Sequence, residues 1–182
     1  MTTYIAFLRG INITGKKMLA MADLKEFLTT LTFENPRSLL QSGNLVFTTT
    51  SRKSPAALEQ FLEQQSEARF AMPVHYLLRS ADELRETVAH NPFPAEAKND
   101  PSHLLVMFCK TPPAAPSLQA LQRAIKGRER FIARGRELYI TYPDGIGPSK
   151  FTHGLIEKTL TTRITGRNWN TVLKLAAMLD AK

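Results

Sequence analysis

The stretch RSLLQSGNLVFTT, residues 37–49, reads as two short strands, Arg37 to Gln41 and Leu45 to Thr49. Between them Ser42-Gly43-Asn44 has the chemistry of a tight hairpin, because Gly and Asn tolerate positive φ. What flanks the hairpin decides the fold. Upstream, Thr3 to Arg9 reads as a buried strand. Met21, Leu24, Phe27, Leu28 and Leu31 then recur at helical spacing. Downstream, Ser54-Pro55 pairs a hydroxyl cap with proline at the first helical position, opening a helix with Leu58, Phe61 and Leu62 on one face. Val74 to Arg79 is the next strand. The order β-α-β-β-α-β is the split βαβ pattern. Ser80-Ala81-Asp82-Glu83 matches a capping box, adding a helix that Asn91-Pro92 must end.

The pattern then begins again. His103 to Lys110 is a strand, and Pro116-Ser117 leads a helix with Leu118, Leu121 and Ile125. Arg130 to Ala133 and Glu137 to Tyr142 form a hairpin around Arg134-Gly135-Arg136. A helix is expected from about Lys150 to Leu160, then a short or lost strand near Arg163 to Thr165, then a last helix from about Asn168 to Leu179. The expected class is α+β, with two ferredoxin-like halves in tandem. Residues 1–90 form the first half, 91–102 a linker rich in Pro and polar residues, and 103–182 the second half with the C-terminal helix. The repeat is one of element order, with no matching residues evident.

The 182 residues suffice for one ordinary domain or two small ones with a real core. The longest apolar run, Leu104 to Cys109, is far shorter than a membrane span, and no secretory leader is visible. A single cysteine cannot form an internal disulfide, which favours a reducing, cytoplasmic setting. The charge is unevenly spread. Residues 1–90 hold 10 Lys and Arg against 9 Asp and Glu, while residues 91–182 hold 14 against 7, so almost all of the +8 lies in the second half. Attraction to phosphates is therefore expected there.

Several chemistries find no support. His75, His90, His103 and His153 are scattered, with no HxH, HExxH or CxxC spacing, so no metal is expected. Cys109 reads as a small buried hydrophobe. The GxSxG elbow, the P-loop and the GxGxxG fingerprint are absent, and no cofactor is expected. RNA binding on a sheet face would need exposed aromatics; Tyr4, Phe7 and Phe47 are the nearest candidates, but they read as core.

Two loops between a strand and a helix are candidate anion sites. In residues 142–150, YPDGIGPSK, Ser149 and Lys150 are expected at a helix start, where free N–H groups and the dipole favour an anion. A turn at Pro143-Asp144-Gly145 with a Ser149 cap is the structural alternative. In residues 10–17, Asn12 and Lys16, with Arg9 just before them, could meet an anion, or the glycines could simply turn the chain. A basic cluster of Arg128, Arg130, Arg134, Arg136 and Arg163 would bind a nucleic-acid backbone by charge. The segment TGRNWNTVL, residues 165–173, places Trp169, Val172, Leu173, Ala176 and Leu179 on one helical face with Asn168 as cap. That leaves Arg167 and Asn170 as candidate ligand contacts.

The ordered motifs from Phe7 to Asn12, Gln41 to Phe47, Asn91 to Pro94, Tyr142 to Gly147 and Arg167 to Val172 resemble a bacterial family known as domain of unknown function 1697. The resemblance spans Tyr4 to Leu175 and implies an α+β fold with two ferredoxin-like halves; it implies no activity. The chain departs from the family at Ile13-Thr14-Gly15, where a glycine pair is usual, and at Pro148, which removes a backbone donor. The function expected is a cytoplasmic binding protein for an anionic ligand, nucleic acid being the leading example. The alternative is a metal-free enzyme for a small phosphorylated or carboxylated molecule in a cleft between the halves, with Asp144 as a base. Pairing through an exposed sheet edge is a third expectation.

Overall fold

The computed structural model describes residues 1–9, 11, 19–39 and 43–180. The chain runs β1 (Thr2–Arg9), α1 (Met21–Thr30), β2 (Glu34–Leu39), β3 (Asn44–Thr49), α2 (Pro55–Phe70), β4 (His75–Ser80), α3 (Ala81–Ala89) and α4 (Pro94–Asn99). It continues β5 (Leu104–Cys109), α5 (Ala115–Ala124), β6 (Arg130–Arg134), β7 (Glu137–Thr141), α6 (His153–Leu160), β8 (Ile164–Asn168) and α7 (Trp169–Asp180). Two four-stranded sheets result, ordered β2-β3-β1-β4 and β6-β7-β5-β8, with every pairing antiparallel. Both orders are what a split βαβ unit produces, so two ferredoxin-like halves in tandem is the architecture. By contacts the chain divides into one unit of residues 1–85 with 178–182 and another of 86–177.

Each core follows from strand alternation. In the first unit, Tyr4, Ala6, Leu8, Leu45, Phe47, Tyr76 and Leu78 meet Leu24, Phe27 and Leu28 of α1 and Leu58 and Leu62 of α2. Phe33 and Phe47 stack with centroids 4.9 Å apart. Burying each such ring contributes roughly 2–3 kcal/mol. In the second unit, Leu105, Met107, Leu138, Ile140 and Ile164 meet Leu121, Ile156 and Leu160. The opposite faces are buried as well, including Ile5, Phe7, Val46, Leu104, Val106, Phe108 and Tyr139. That is why the central strands are unbroken apolar runs. Tyr4, Phe7 and Phe47 are all buried, so none of the three offers RNA a stacking face.

The expected caps form. Ser54 Oγ accepts from Ala57 N–H at 3.3 Å. Ser80 and Glu83 close a reciprocal box, with Ser80 N–H donating to Glu83 at 2.7 Å and Glu83 N–H donating to Ser80 Oγ at 3.1 Å. In the hairpin, Gly43 has φ +77° and an added Cβ would stand 2.8 Å from Ile11 Cδ1; Gln41 and Ser42 lie outside the described residues. Several boundaries differ from expectation. Strand β2 begins at Glu34 rather than Arg37. The stretch 91–102 contains α4. Strand β8 is full length, reaching Asn168. Helix α6 starts at His153 rather than Lys150, because Phe151 is buried and its carbonyl accepts the Tyr142 hydroxyl, holding it out of the helix.

A residue-level correspondence also emerges. Arg79 and Arg167 each stand one residue before the end of β4 or β8, and each Nη1 donates to the preceding carbonyl at 2.8 Å. The next residue, Ser80 or Asn168, ends the strand and caps the following helix, with no intervening loop. Helix glutamates also take outward amides of the same two strands. Glu59 and Glu63 of α2 accept from the amides of Leu78 and Tyr76 in β4 (2.7 and 3.2 Å), and Glu157 of α6 accepts from Ile164 in β8 (3.3 Å).

Candidate anion-binding surface

The predicted arginine cluster divides between the two ends of the second sheet. Strand β6 rises about 3.3 Å per residue, so Arg130 and Arg134 sit about 13 Å apart along it. At the Arg130 end the charges are spoken for. Arg128 binds Asp144 through Nε (2.9 Å) and Nη2, and Arg130 pairs with Glu96 while its guanidinium lies 5.4 Å from the Phe93 ring. The Arg128 guanidinium holds the Asp144 carboxyl below its ordinary value, which suits a structural ion pair rather than a base.

The opposite end gathers a different set. The β6–β7 hairpin carries Arg134 and Arg136, and the Arg136 carbonyl accepts from Cys109 N–H at the end of β5 (2.8 Å). One residue on, Lys110 N–H donates to the Arg163 carbonyl (2.8 Å), just ahead of β8. Lys110, Lys158 and Arg163 then line a depression of about 600 Å³ together with Thr111, Thr162 and Glu157. The Thr111 and Thr162 hydroxyls hydrogen-bond each other at 2.8 Å, and Thr162 Oγ1 accepts from Thr111 N–H at 3.1 Å, fixing the floor. Five cations thus share one sheet end, against Glu137 and Glu157. Lys110 and Lys158 were not singled out in sequence. Lys110 was legible as the residue closing an apolar strand, but only the register brings it beside Arg136 and Arg163.

The remaining candidates scatter. Arg9 ends β1, half-buried, opposite His75. Asn12 and Lys16 lie outside the described residues. Gly145 N–H donates to the Tyr142 carbonyl at 2.9 Å, completing the expected turn. The α6 cap is Thr152, accepting from Leu155 N–H at 3.3 Å, whereas Ser149 donates its hydroxyl to Glu129 and accepts from Phe151 N–H (3.0 Å). Ser149 is therefore removed from the helix dipole that was to bind the anion. With exposed Lys150 it lines a smaller cavity of about 250 Å³ that also includes Lys126, Glu129 and Asp144. Beside Gly145, His103 Nδ1 lies 2.8 Å from Asp100, whose carboxyl is drawn below its ordinary value by that contact.

Trp169 is buried, and Asn168 Oδ1 accepts from both Thr171 N–H and Thr171 Oγ1 at 2.9 Å, so the indole anchors and the asparagine caps. The buried face is Trp169, Thr171, Val172 and Leu175; Leu173, expected inside, is 40% exposed. Arg167 donates to Thr165 Oγ1 at 2.9 Å and to the Gly166 carbonyl, and burial pushes its guanidinium down to about 10. It belongs to the structural network, while Asn170 is exposed. No group of three His, Cys, Asp or Glu fit to hold a metal occurs among the described residues, and no described helix is long and apolar enough to cross a membrane.

No curated protein matches the chain. Among solved structures it is similar to the conserved bacterial protein SP0830 from Streptococcus pneumoniae, with a TM-score of 0.79 and 24% identity over 100% of this chain and 99% of that one. That likeness concerns the fold alone. A family model described as "Protein of unknown function (DUF1697)" matches residues 1–139, and with both halves showing the expected strand order, the chain belongs to the DUF1697 family.

Proposed function

We propose that this protein binds an anionic ligand, with nucleic acid as the leading class, at the hairpin end of its second sheet. The observation that carries the reading is the convergence of Lys110, Arg134, Arg136, Lys158 and Arg163 at one end of the sheet, three of them around one open depression. Such a surface neutralises phosphates through charge and releases counterions, giving affinity with little sequence preference. Its breadth suits a polymer backbone better than one small anion. Fluorescence anisotropy with labelled single- and double-stranded oligonucleotides is the test. Binding near micromolar that weakens steeply with salt supports the reading; no binding below about 10 μM, or binding indifferent to salt, refutes it.

A second reading, an enzyme for a small phosphorylated or carboxylated molecule, draws support from the 250 Å³ cavity, where Lys126 and Lys150 have no ion-pair partner among the described residues. Native mass spectrometry of the purified chain separates the two. A retained phosphorylated or carboxylated metabolite favours the cavity, and co-purifying nucleic acid that leaves at high salt favours the basic end.

A further inference from the structure

Four strands edge the two sheets, and three of them carry a feature that hinders further pairing. In β4 the amides of Tyr76 and Leu78 are taken by Glu63 and Glu59, and in β8 that of Ile164 is taken by Glu157. Strand β2 is interrupted by Pro36 and by a register shift between Glu34 and Arg37. Both devices are ways of blunting an edge. Strand β6 has neither. Among the described residues its backbone bonds reach β7 alone, and no side chain takes its amides.

The side chains on β6 are arranged in a readable order. Phe131 and Ala133 pack toward the core, while Arg130, Ile132 and Arg134 project to the other face, all exposed. Ile132 is 40% exposed, one of four large apolar side chains so exposed among the described residues. We infer that the β6 edge is a docking site for an extended segment of another protein whose residues alternate acidic, apolar, acidic along one face. Such a segment adds a fifth strand through main-chain hydrogen bonds, sets its apolar residue against Ile132, and sets its carboxylates against Arg130 and Arg134. The order is palindromic, so parallel and antiparallel docking satisfy it equally.

A second copy of the chain fits poorly. Antiparallel self-pairing centred on Ile132 sets arginine against arginine at both ends of the contact, which is destabilising. The two charges therefore disfavour self-association and favour an acidic strand over a neutral one. Arg130 already shares its charge with Glu96, so Arg134, exposed and without an ion pair among the described residues, is the stronger selector. Arg134 also belongs to the basic sheet end, but the edge amides and Ile132 do not, so Ile132→Lys separates this inference from anion binding.

The test uses the full ¹⁵N-labelled chain and two capped heptapeptides, Ser-Glu-Thr-Val-Thr-Glu-Ser and the same sequence with lysine for glutamate. The glutamate peptide is expected to shift the amides of residues 130–134 and to slow solvent exchange at Phe131 and Ala133, whose N–H groups face away from β7, and the lysine peptide to do neither. Arg134→Glu should move the response from the first peptide toward the second, and Ile132→Lys should abolish it. Silence of those amides at about 1 mM peptide overturns the inference. So does an equal response to both peptides, or a concentration-dependent dimer of the free chain that Ile132→Lys dissolves.

Discussion

If the hairpin end of the second sheet meets nucleic acid, removing charges there must change the salt dependence of binding, and removing charges at the other end must not. Five cations converge, and two carboxylates offset them: Glu137, opposite Arg134 in the hairpin register, and Glu157 in the depression. About three net phosphate neutralisations remain, giving a slope of log K against log salt near −2.7 on duplex DNA and near −2 on single strands. Between 50 and 200 mM salt the duplex affinity should then fall by roughly 40-fold. The double variant Lys110→Ala/Arg163→Ala should reduce the slope to about −1, so that the same salt change costs only about fourfold. Arg128→Ala/Arg130→Ala removes the same formal charge at the opposite sheet end, away from the proposed contact, and should leave the slope unchanged. Anisotropy titrations at four or so salt concentrations, with melting curves showing each variant folded, would measure this. Equal slopes for the two double variants would refute the localisation, since the protein would then be responding to net charge alone.

Three further outcomes follow from local geometry. Asn168→Ala removes the acceptor for the backbone and hydroxyl of Thr171 and should cost about 1–2 kcal/mol in denaturant unfolding; a cost near zero would mean that water caps the helix equally well. Gly166→Ala places a Cβ 2.6 Å from Met107 Sδ, and the flexible thioether can yield only partly, so a loss of about 1–3 kcal/mol is expected, eased in combination with a smaller residue at Met107. Arg128→Ala should return the Asp144 carboxyl upward toward 3.8, read by NMR titration. Because the folded value is depressed, this pair stabilises above the unfolded value and its contribution is lost as pH falls through the folded one, so the variant should flatten the acid limb of stability below about pH 4.

Most of the fold was legible because its signals are local. The apolar runs Tyr4 to Leu8 and Leu104 to Cys109, the caps Ser54 and Ser80, and the 37–49 hairpin each state their own conformation. The failures came where tertiary contacts overrode a local signal. Ser149 looked like a cap, yet the burial of Phe151 delayed the helix to Thr152. Leu173 fitted the helical stripe beside Trp169, but the buried face turned toward Thr171 and Leu175. The site was less legible for a topological reason. Arg128 to Arg136 are neighbours in sequence, and a strand carries them to opposite ends of a sheet. Lys110 and Arg163, distant in sequence, become neighbours because β5 ends where β8 begins.

The paired arginine and cap at the ends of β4 and β8 carry a mechanical consequence. In most α/β connections a loop absorbs small errors of register, but here one residue is both the last rung of a strand and the first hold of a helix. Because Asn168 ties β8 to α7 within one continuous segment, a one-residue slip of β8 against β5 would drag the helix with it and pull Trp169, Val172 and Leu175 out of their buried places in the same motion. The helix thus acts as a gauge for its strand, refusing every alignment but one. Insertions of even a single residue at Ser80 or Asn168 should be tolerated far less than insertions in the long loop before α6.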